Sequence, residues 1–532
     1  MTLPTEVRAR LASRLPGDSV ASWWWTALIG LIAAILRLVS LSHPNQIIFD
    51  EVYYANEAFS MLEHGSEWDL EKNEPKFVVH PPLGKWLIAL GILISRSVRD
   101  AIGPLLGITP GQIAEGSAFD WRIASVIAGV TSVIIVVRVG RRLFGSTVLG
   151  CTAGLLLALD GMHFVSSRTA LLDVFLMVFV LAAFACLVMD RDTRRQRWLW
   201  ELERGLDPSW QRPRFGFPWW RVAAAVLVGC AFAVKWSALW YILLFLLLLV
   251  VWEYGTLRAA GVGEAGRWSG GQLARTVGSV VGFGALAGVT YLASWAGWFA
   301  DDQATYRHWL RDQGSAEWPI IGPLINLYAY HDAALGFHTS LTEDHQYQSW
   351  PWQWLLLGRP VAYYWSDAGP CASDHCAAEV LLLGTPVLWW SFIPAIIAVT
   401  WYAMSRRDWR AWTILGGVAM GILPWFWFML DDRTMFYFYA LPSVPFLTLT
   451  VAMALGVLVG TPGLPKPPRT SGAAWRPAVV PDRHRRTWGA VAAGLYVAAV
   501  AVCFAYFYPI YVGESITYQE WYARMWLGRL WI

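Results

Sequence analysis

Residues 23 to 54 read WWWTALIGLIAAILRLVSLSHPNQIIFDEVYY. The run Trp23 to Leu41 carries one charge, Arg37, and is long enough to cross about 30 Å of hydrocarbon as a helix. Only Ser42 to Gln46 separate it from Ile47-Ile48-Phe49-Asp50-Glu51-Val52-Tyr53-Tyr54. A span followed at once by two adjacent carboxylates holds Asp50 and Glu51 at a membrane surface among aromatic side chains. Adjacent acids repel and partial burial disfavours their charge, so one of them retains its proton more tightly than in water. A poised carboxylate beside a bilayer is what a base acting on a lipid-linked substrate needs.

The remainder of the chain agrees with a membrane setting. Of 532 residues 56% are hydrophobic and 15% charged, against about 25% charged in soluble domains. The reading is an all-α polytopic membrane protein, with 35 Trp and 20 Tyr supplying interfacial belts. Residues 1–21, with Arg8, Arg10 and Arg14, form a basic tail ahead of a retained first helix, not a cleaved signal peptide. Six cysteines are too few for a disulfide scaffold, and Cys371 and Cys376 are the one pair close together in a polar stretch.

Lys/Arg placement sets the topology. The basic tail stays inside, which puts Asp50 outside. Arg138, Arg141 and Arg142 end the next strong apolar run inside, so the short segment 83–97 is expected to lie in the interface without crossing. Strongly basic loops at 191–214, 258–275 and 406–410 and the Pro-rich segment 461–487 then fall on the same side. The count is about eleven spans. The predicted parts are a cytoplasmic tail 1–21, a transmembrane part 22–297 with first outer loop 43–119, an outer loop 298–383, a second transmembrane part 384–509 and an outer tail 510–532.

Folded this way, the unusual charges gather at the outer face: Asp50, Glu51, His80, Lys85, Arg122, His163, Arg168, Asp173 and Lys235. Ionisable groups near spans are costly and default to functional candidates. Arg122, Arg168 and Lys235 stand at the outer ends of different spans and would suit a phosphate, while each could equally snorkel to lipid head groups. Asp173 could pair with Arg168 or serve binding. In His80-Pro81-Pro82-Leu83-Gly84-Lys85 the prolines force an extended entry, and the helix that follows offers its positive end to an anion. His331, His338 and His345 lack compact metal-ligand spacing and are read as loop hydrogen-bonders. No P-loop, dinucleotide fingerprint, nucleophile elbow or basic-aromatic nucleic-acid patch is present in the sequence.

Taken in order, Phe49-Asp50-Glu51-Val52-Tyr53-Tyr54, His80 to Lys85, Asp120-Trp121-Arg122-Ile123, Ser167 to Asp173 and Lys235-Trp236-Ser237-Ala238-Leu239 resemble the protein O-mannosyltransferases, membrane glycosyltransferases of the GT-C type. The resemblance covers nearly the whole chain and implies a GT-C bundle whose active site lies on the extracytoplasmic first loop. It also implies a polyprenyl-phosphate mannose donor and a Ser or Thr acceptor on a secreted polypeptide, met in association with the secretion machinery. By resemblance Asp50 is the catalytic base, Glu51 shapes the acceptor site and Arg122 is the arginine of the second span. Lys85, Arg122, Arg168 and Lys235 are expected at the donor phosphate, with His80, Tyr54, His163 and Asp173 supporting them. The outer loop 298–383 is too short for the β-trefoil insertion of eukaryotic members, which points to a bacterial form in the plasma membrane.

The chemistry itself asks for little. A carboxylate takes the proton of an attacking hydroxyl while cations meet the charge on the departing lipid phosphate. One displacement inverts the anomeric centre. No cofactor is required, although Asp50-Glu51 leaves a divalent metal open. The rival readings are a GT-C enzyme that moves a pentose or modifies a glycolipid, a lipid-linked sugar transporter, and a structural subunit. A transporter should place its ionisable groups near the bilayer midplane, and these cluster at one face.

Overall fold

The computed structural model describes residues 5–12, 15–102, 117–208, 211–262, 270–460 and 483–532. Among them nine helices are long and apolar enough to cross a membrane, from Ser19–Leu38 to Arg483–Val512, and two shorter apolar helices, Thr147–Ala158 and Trp219–Phe232, stand between them. Together they number eleven, which agrees roughly with the count expected from the sequence. Most of the first outer loop's later part, 103–116, and most of the Pro-rich basic segment, 461–482, lie outside the described residues.

Among the described residues the Asp173–Glu203 and Tyr437–Val459 spans are the most enclosed, while Gly271–Ser294 and Arg483–Val512 present most of their surface outward. Local chemistry explains the tightest join. The Ala118–Phe144 helix starts on a Ser117 cap and ends on Gly145, which takes the left-handed conformation. Ser146 then caps Thr147–Ala158, so two helices turn back on each other within two residues. They pack backbone to backbone: a Cβ on Gly150 would stand 2.4 Å from the Val137 carbonyl oxygen.

The segment expected to lie in the interface forms a helix, Leu83–Ile102, longer than its apolar core and not among those apolar enough to cross. It packs on the Glu51–His64 helix and on Ala118–Phe144. Gly84 lets its first turn approach the Asp173–Glu203 entry, since a Cβ there would meet Leu172 at 2.6 Å and Val234 at 3.2 Å.

The segment 298–383, expected as an outer loop, is not featureless. It holds the Ile321–Ser340 helix and an antiparallel hairpin of Val361–Ser366 and Cys376–Leu382, with Val361 opposite Leu382. Ile516–Thr517 of the tail adds a third strand, pairing Thr517 with Cys376, and Trp521 donates its indole N–H to Glu379 at 2.6 Å. Cys371 and Cys376 are disulfide-bonded at the hairpin turn.

Candidate functional site

The two carboxylates of the opening motif part company at Phe49. Its backbone is left-handed, with φ of 46°, and its ring is held in place by stacking on Tyr363 at 4.5 Å and meeting Phe438 edge-on. Past this turn Glu51 begins the Glu51–His64 helix and is fully buried. Arg122 grips it with two hydrogen bonds, Nε to Oε1 at 2.8 Å and Nη2 to Oε2 at 2.9 Å. The backbone N–H groups of Ile48 and Ala170 donate to the same carboxylate. The remaining donors of Arg122 go to the carbonyls of Leu41, Pro44 and Gln46. All five of its N–H groups are thereby occupied within the protein.

Asp50 stands at the N-cap position of the same helix, yet its side chain makes no capping bond and no ion pair among the described residues. It is partly exposed, and burial pushes its pKa up to about 6. The Lys235 ammonium opposes that rise and the Asp173 carboxylate adds to it. Lys235 lies in the extended link between Trp219–Phe232 and Leu239–Ala259 and pairs with Asp173 at 2.7 Å. Asp173 is the first residue of its helix, where the dipole favours a carboxylate. Phe438 and Tyr439 lie under the Lys235 ammonium at 5.7 Å.

His80 closes another side. Its ring lies 6.1 Å from Tyr54 and 5.2 Å from His338. Burial, with Lys235 and His338 beside it and Lys85 and Arg433 beyond, holds its pKa well below the usual histidine range, so the ring is neutral. The structure thus brings Asp50, Tyr54, His80, Asp173 and Lys235 into one neighbourhood.

Other expected residues are engaged elsewhere. Lys85 is fully buried between Glu67 at 2.5 Å and Glu57 at 3.6 Å and donates to the His80 carbonyl. Arg168 does not pair with Asp173. It caps the end of the first span by donating to the carbonyls of Arg37, Val39 and Ser40. His163 sits in the core between Arg37 at 2.7 Å and Ser132 at 2.8 Å. The loop histidines also separate: His331 bonds Leu327 and Tyr291, and His338 donates to Val79. Among the described residues no three His, Cys, Asp or Glu side chains gather closely enough to hold a metal ion.

Three residues at the site carried no strong sequence signal. Arg433 was legible only as a topological marker, yet its guanidinium lies about 6 Å from the rings of Trp425, Phe428 and Tyr439 and bonds the His338 carbonyl. His338 and Tyr363 come from the segment 298–383, which folds back onto the first-loop motif.

The family described as "Dolichyl-phosphate-mannose-protein mannosyltransferase" matches residues 27–207, and "C-terminal four TMM region of protein-O-mannosyltransferase" matches residues 324–531. A polyprenol-phosphate-mannose–protein mannosyltransferase of Mycolicibacterium smegmatis is 37% identical over 528 residues, covering 96% of this chain and 93% of the relative. Its namesakes from Mycobacterium tuberculosis and Corynebacterium glutamicum are 35% and 33% identical over comparable lengths. Among solved structures, the Saccharomyces cerevisiae protein O-mannosyltransferase Pmt1-Pmt2 complex bound to the sugar donor superposes with a TM-score of 0.69. That match has 14% identity and covers 99% of this chain and 94% of the other. At that identity the likeness concerns the fold.

Proposed function

The chain belongs to the protein O-mannosyltransferase family, and from that premise we propose that it transfers mannose from polyprenyl-phosphate mannose to serine and threonine hydroxyls of exported polypeptides, with Asp50 as the base. It is a multi-pass membrane enzyme with the GT-C type of helical bundle. The observation that carries the assignment of the base is the contrast within one dipeptide. Glu51 is fully bonded and sealed, whereas Asp50 has no side-chain bond among the described residues, is partly exposed and is raised to about 6. A carboxylate in that state is ionised at neutral pH and basic enough to take a hydroxyl proton as the oxygen attacks.

In this reading the hydroxyl oxygen attacks the anomeric carbon, the proton passes to Asp50, and the bond to the lipid phosphate breaks on the opposite face with inversion. Lys235 meets the charge that develops on the leaving phosphate, with Arg433 as the second cation of the same neighbourhood. Arg122, Arg168 and Lys85 act by position. Arg122 fixes the loop that presents Asp50, Arg168 closes the first span, and Lys85 anchors the His80 turn between two acids. The reaction as written asks for no cofactor. The site faces the extracytoplasmic side of the bacterial plasma membrane with the N-terminus inside, where an acceptor leaving the secretion machinery would meet it.

The test is purified protein in lipid with polyprenyl-phosphate mannose and a Ser/Thr-rich peptide, the product detected by mass. Wild-type protein should add hexose to the peptide, and Asp50→Asn should lower the rate by about 10²–10⁴. A mannosylated lipid with the peptide left untouched would replace this acceptor with a glycolipid.

A further inference from the structure

The end of the bundle away from Asp50 carries a second concentration of charge. The Asp173–Glu203 helix starts at the Lys235 pair and carries Arg191 and Arg195 further along. At 1.5 Å per residue Arg191 lies about 27 Å from Asp173, nearly the thickness of the hydrocarbon. There a cavity of about 600 Å³ opens between this helix, the Leu239–Ala259 helix, the start of Trp409–Ile422 and the Thr5–Leu11 helix. Seven arginines line it against two aspartates.

Both aspartates are already engaged. Asp192 is shared by Arg142 at 3.0 Å and Arg191 at 2.9 Å, and Asp408 is held by Arg410 at 2.6 Å. The lining therefore keeps a large excess of positive charge. Arg191 is 8% exposed, its guanidinium lies 3.4 Å over the Trp409 ring, and its Nε–H has no hydrogen-bond partner among the described residues. A buried donor without an acceptor is costly unless something else supplies one. Arg258, at the exposed rim, forms no ion pair among the described residues.

The rim also indicates where the ligand comes from. Val251 is 50% and Tyr254 37% exposed, and both line the cavity. They share the outer face of their helix with Leu247, 57% exposed, which is a surface that a span turns to lipid. Basic residues with aromatic walls at the end of a span, open toward the bilayer, sit at head-group depth.

We propose that this cavity binds the phosphate head group of an anionic membrane lipid, with Arg191, Arg195 and Arg258 as its contacts. Planar guanidinium groups suit phosphate oxygens, and the volume falls in the range of small-molecule sites. The full chain, purified in neutral detergent, is mixed with phosphatidylglycerol or with phosphatidylcholine and examined by native mass spectrometry, with inorganic pyrophosphate as competitor. Wild-type protein should retain phosphatidylglycerol about 10-fold better than phosphatidylcholine, and the double variant Arg195→Gln/Arg258→Gln should lose that preference. Because both positions lie at or near the rim, the double variant should melt with the wild type. Arg191→Lys, which keeps the charge and removes the planar stack, should weaken retention without abolishing it. Equal retention of the two lipids, or a preference unchanged in the double variant, overturns the site. Pyrophosphate that binds in place of lipid, with the same arginine dependence, overturns the lipid and leaves a soluble polyphosphate as the ligand.

Discussion

The guanidinium of Arg122 and the carboxylate of Glu51 meet through two hydrogen bonds of 2.8 and 2.9 Å, and both side chains are shut away from solvent. The pair joins the second span to the first-loop helix and draws in the carbonyls of Leu41, Pro44 and Gln46. Removing one partner leaves an uncompensated buried charge, which costs about 3–5 kcal/mol. Arg122→Gln should therefore lower thermal stability and activity together. Asp50→Asn should remove activity with the melting temperature unchanged or slightly raised. Thermal unfolding of the two variants, measured beside transfer, checks the division; equal destabilisation by both would refute separate roles.

The raised value of Asp50 sets a pH profile. A base must be ionised to act, so transfer should rise with pH and level off above about 6. At one unit below that midpoint about a tenth of the carboxylate is ionised, and the rate should fall roughly 10-fold. For stability the sign is opposite. The folded state holds the proton more tightly than the unfolded state, so ionisation between the ordinary carboxylate value of 3.8 and about 6 weakens the fold. A rate profile flat down to pH 4.5 would sink the assignment of the base.

Lys235 acts on the same midpoint, because its ammonium holds Asp50 down while Asp173 holds it up. Lys235→Met should lower the plateau rate through the phosphate and also move the midpoint above 6. Asp173→Asn should move it the other way. The direction of the two shifts, read from single-turnover rates across pH, separates electrostatic contact from a packing defect, which would lower the plateau alone.

Phe49 and Tyr363 stack with an interplanar angle of 11°. Aromatic pairs of this kind add about 0.5–1.5 kcal/mol beyond their buried area. Phe49→Ala also leaves a left-handed backbone without the ring that holds it. Each single alanine variant should depress transfer several-fold, and the double variant should be little worse than Phe49→Ala alone. Additive losses in that cycle would show that the rings do not act as a pair.

The fold was legible because hydrocarbon thickness and arginine placement write themselves into a sequence. The Ala118–Phe144 helix runs just past Arg141 and Arg142, and the Arg483–Val512 helix starts within the basic segment expected ahead of it. The first-loop motif was legible in the same way, down to the adjacency of Asp50 and Glu51. What the residues alone did not disclose is which carboxylate is bonded. That depends on the left-handed turn at Phe49 and on an arginine 71 positions away. The cations mislead for a related reason: Lys85 and Arg168 look like phosphate ligands until Glu57, Glu67 and the carbonyls of Val39 and Ser40 are found around them. Arg433 carries no site signal in the sequence because a lone arginine beside Asp431 and Asp432 reads as an ordinary loop.

Ile516–Thr517 and Trp521 secure the hairpin whose Tyr363 backs the first-loop turn. During synthesis, then, every recognisable motif is inserted in the bilayer well before the reaction chamber has its last wall. Without that strand the chamber should stay open on one side and inactive. A polypeptide stopped after Val512 should insert and stay in the membrane yet glycosylate nothing, and supplying residues 513–532 as a separate peptide should restore part of the rate.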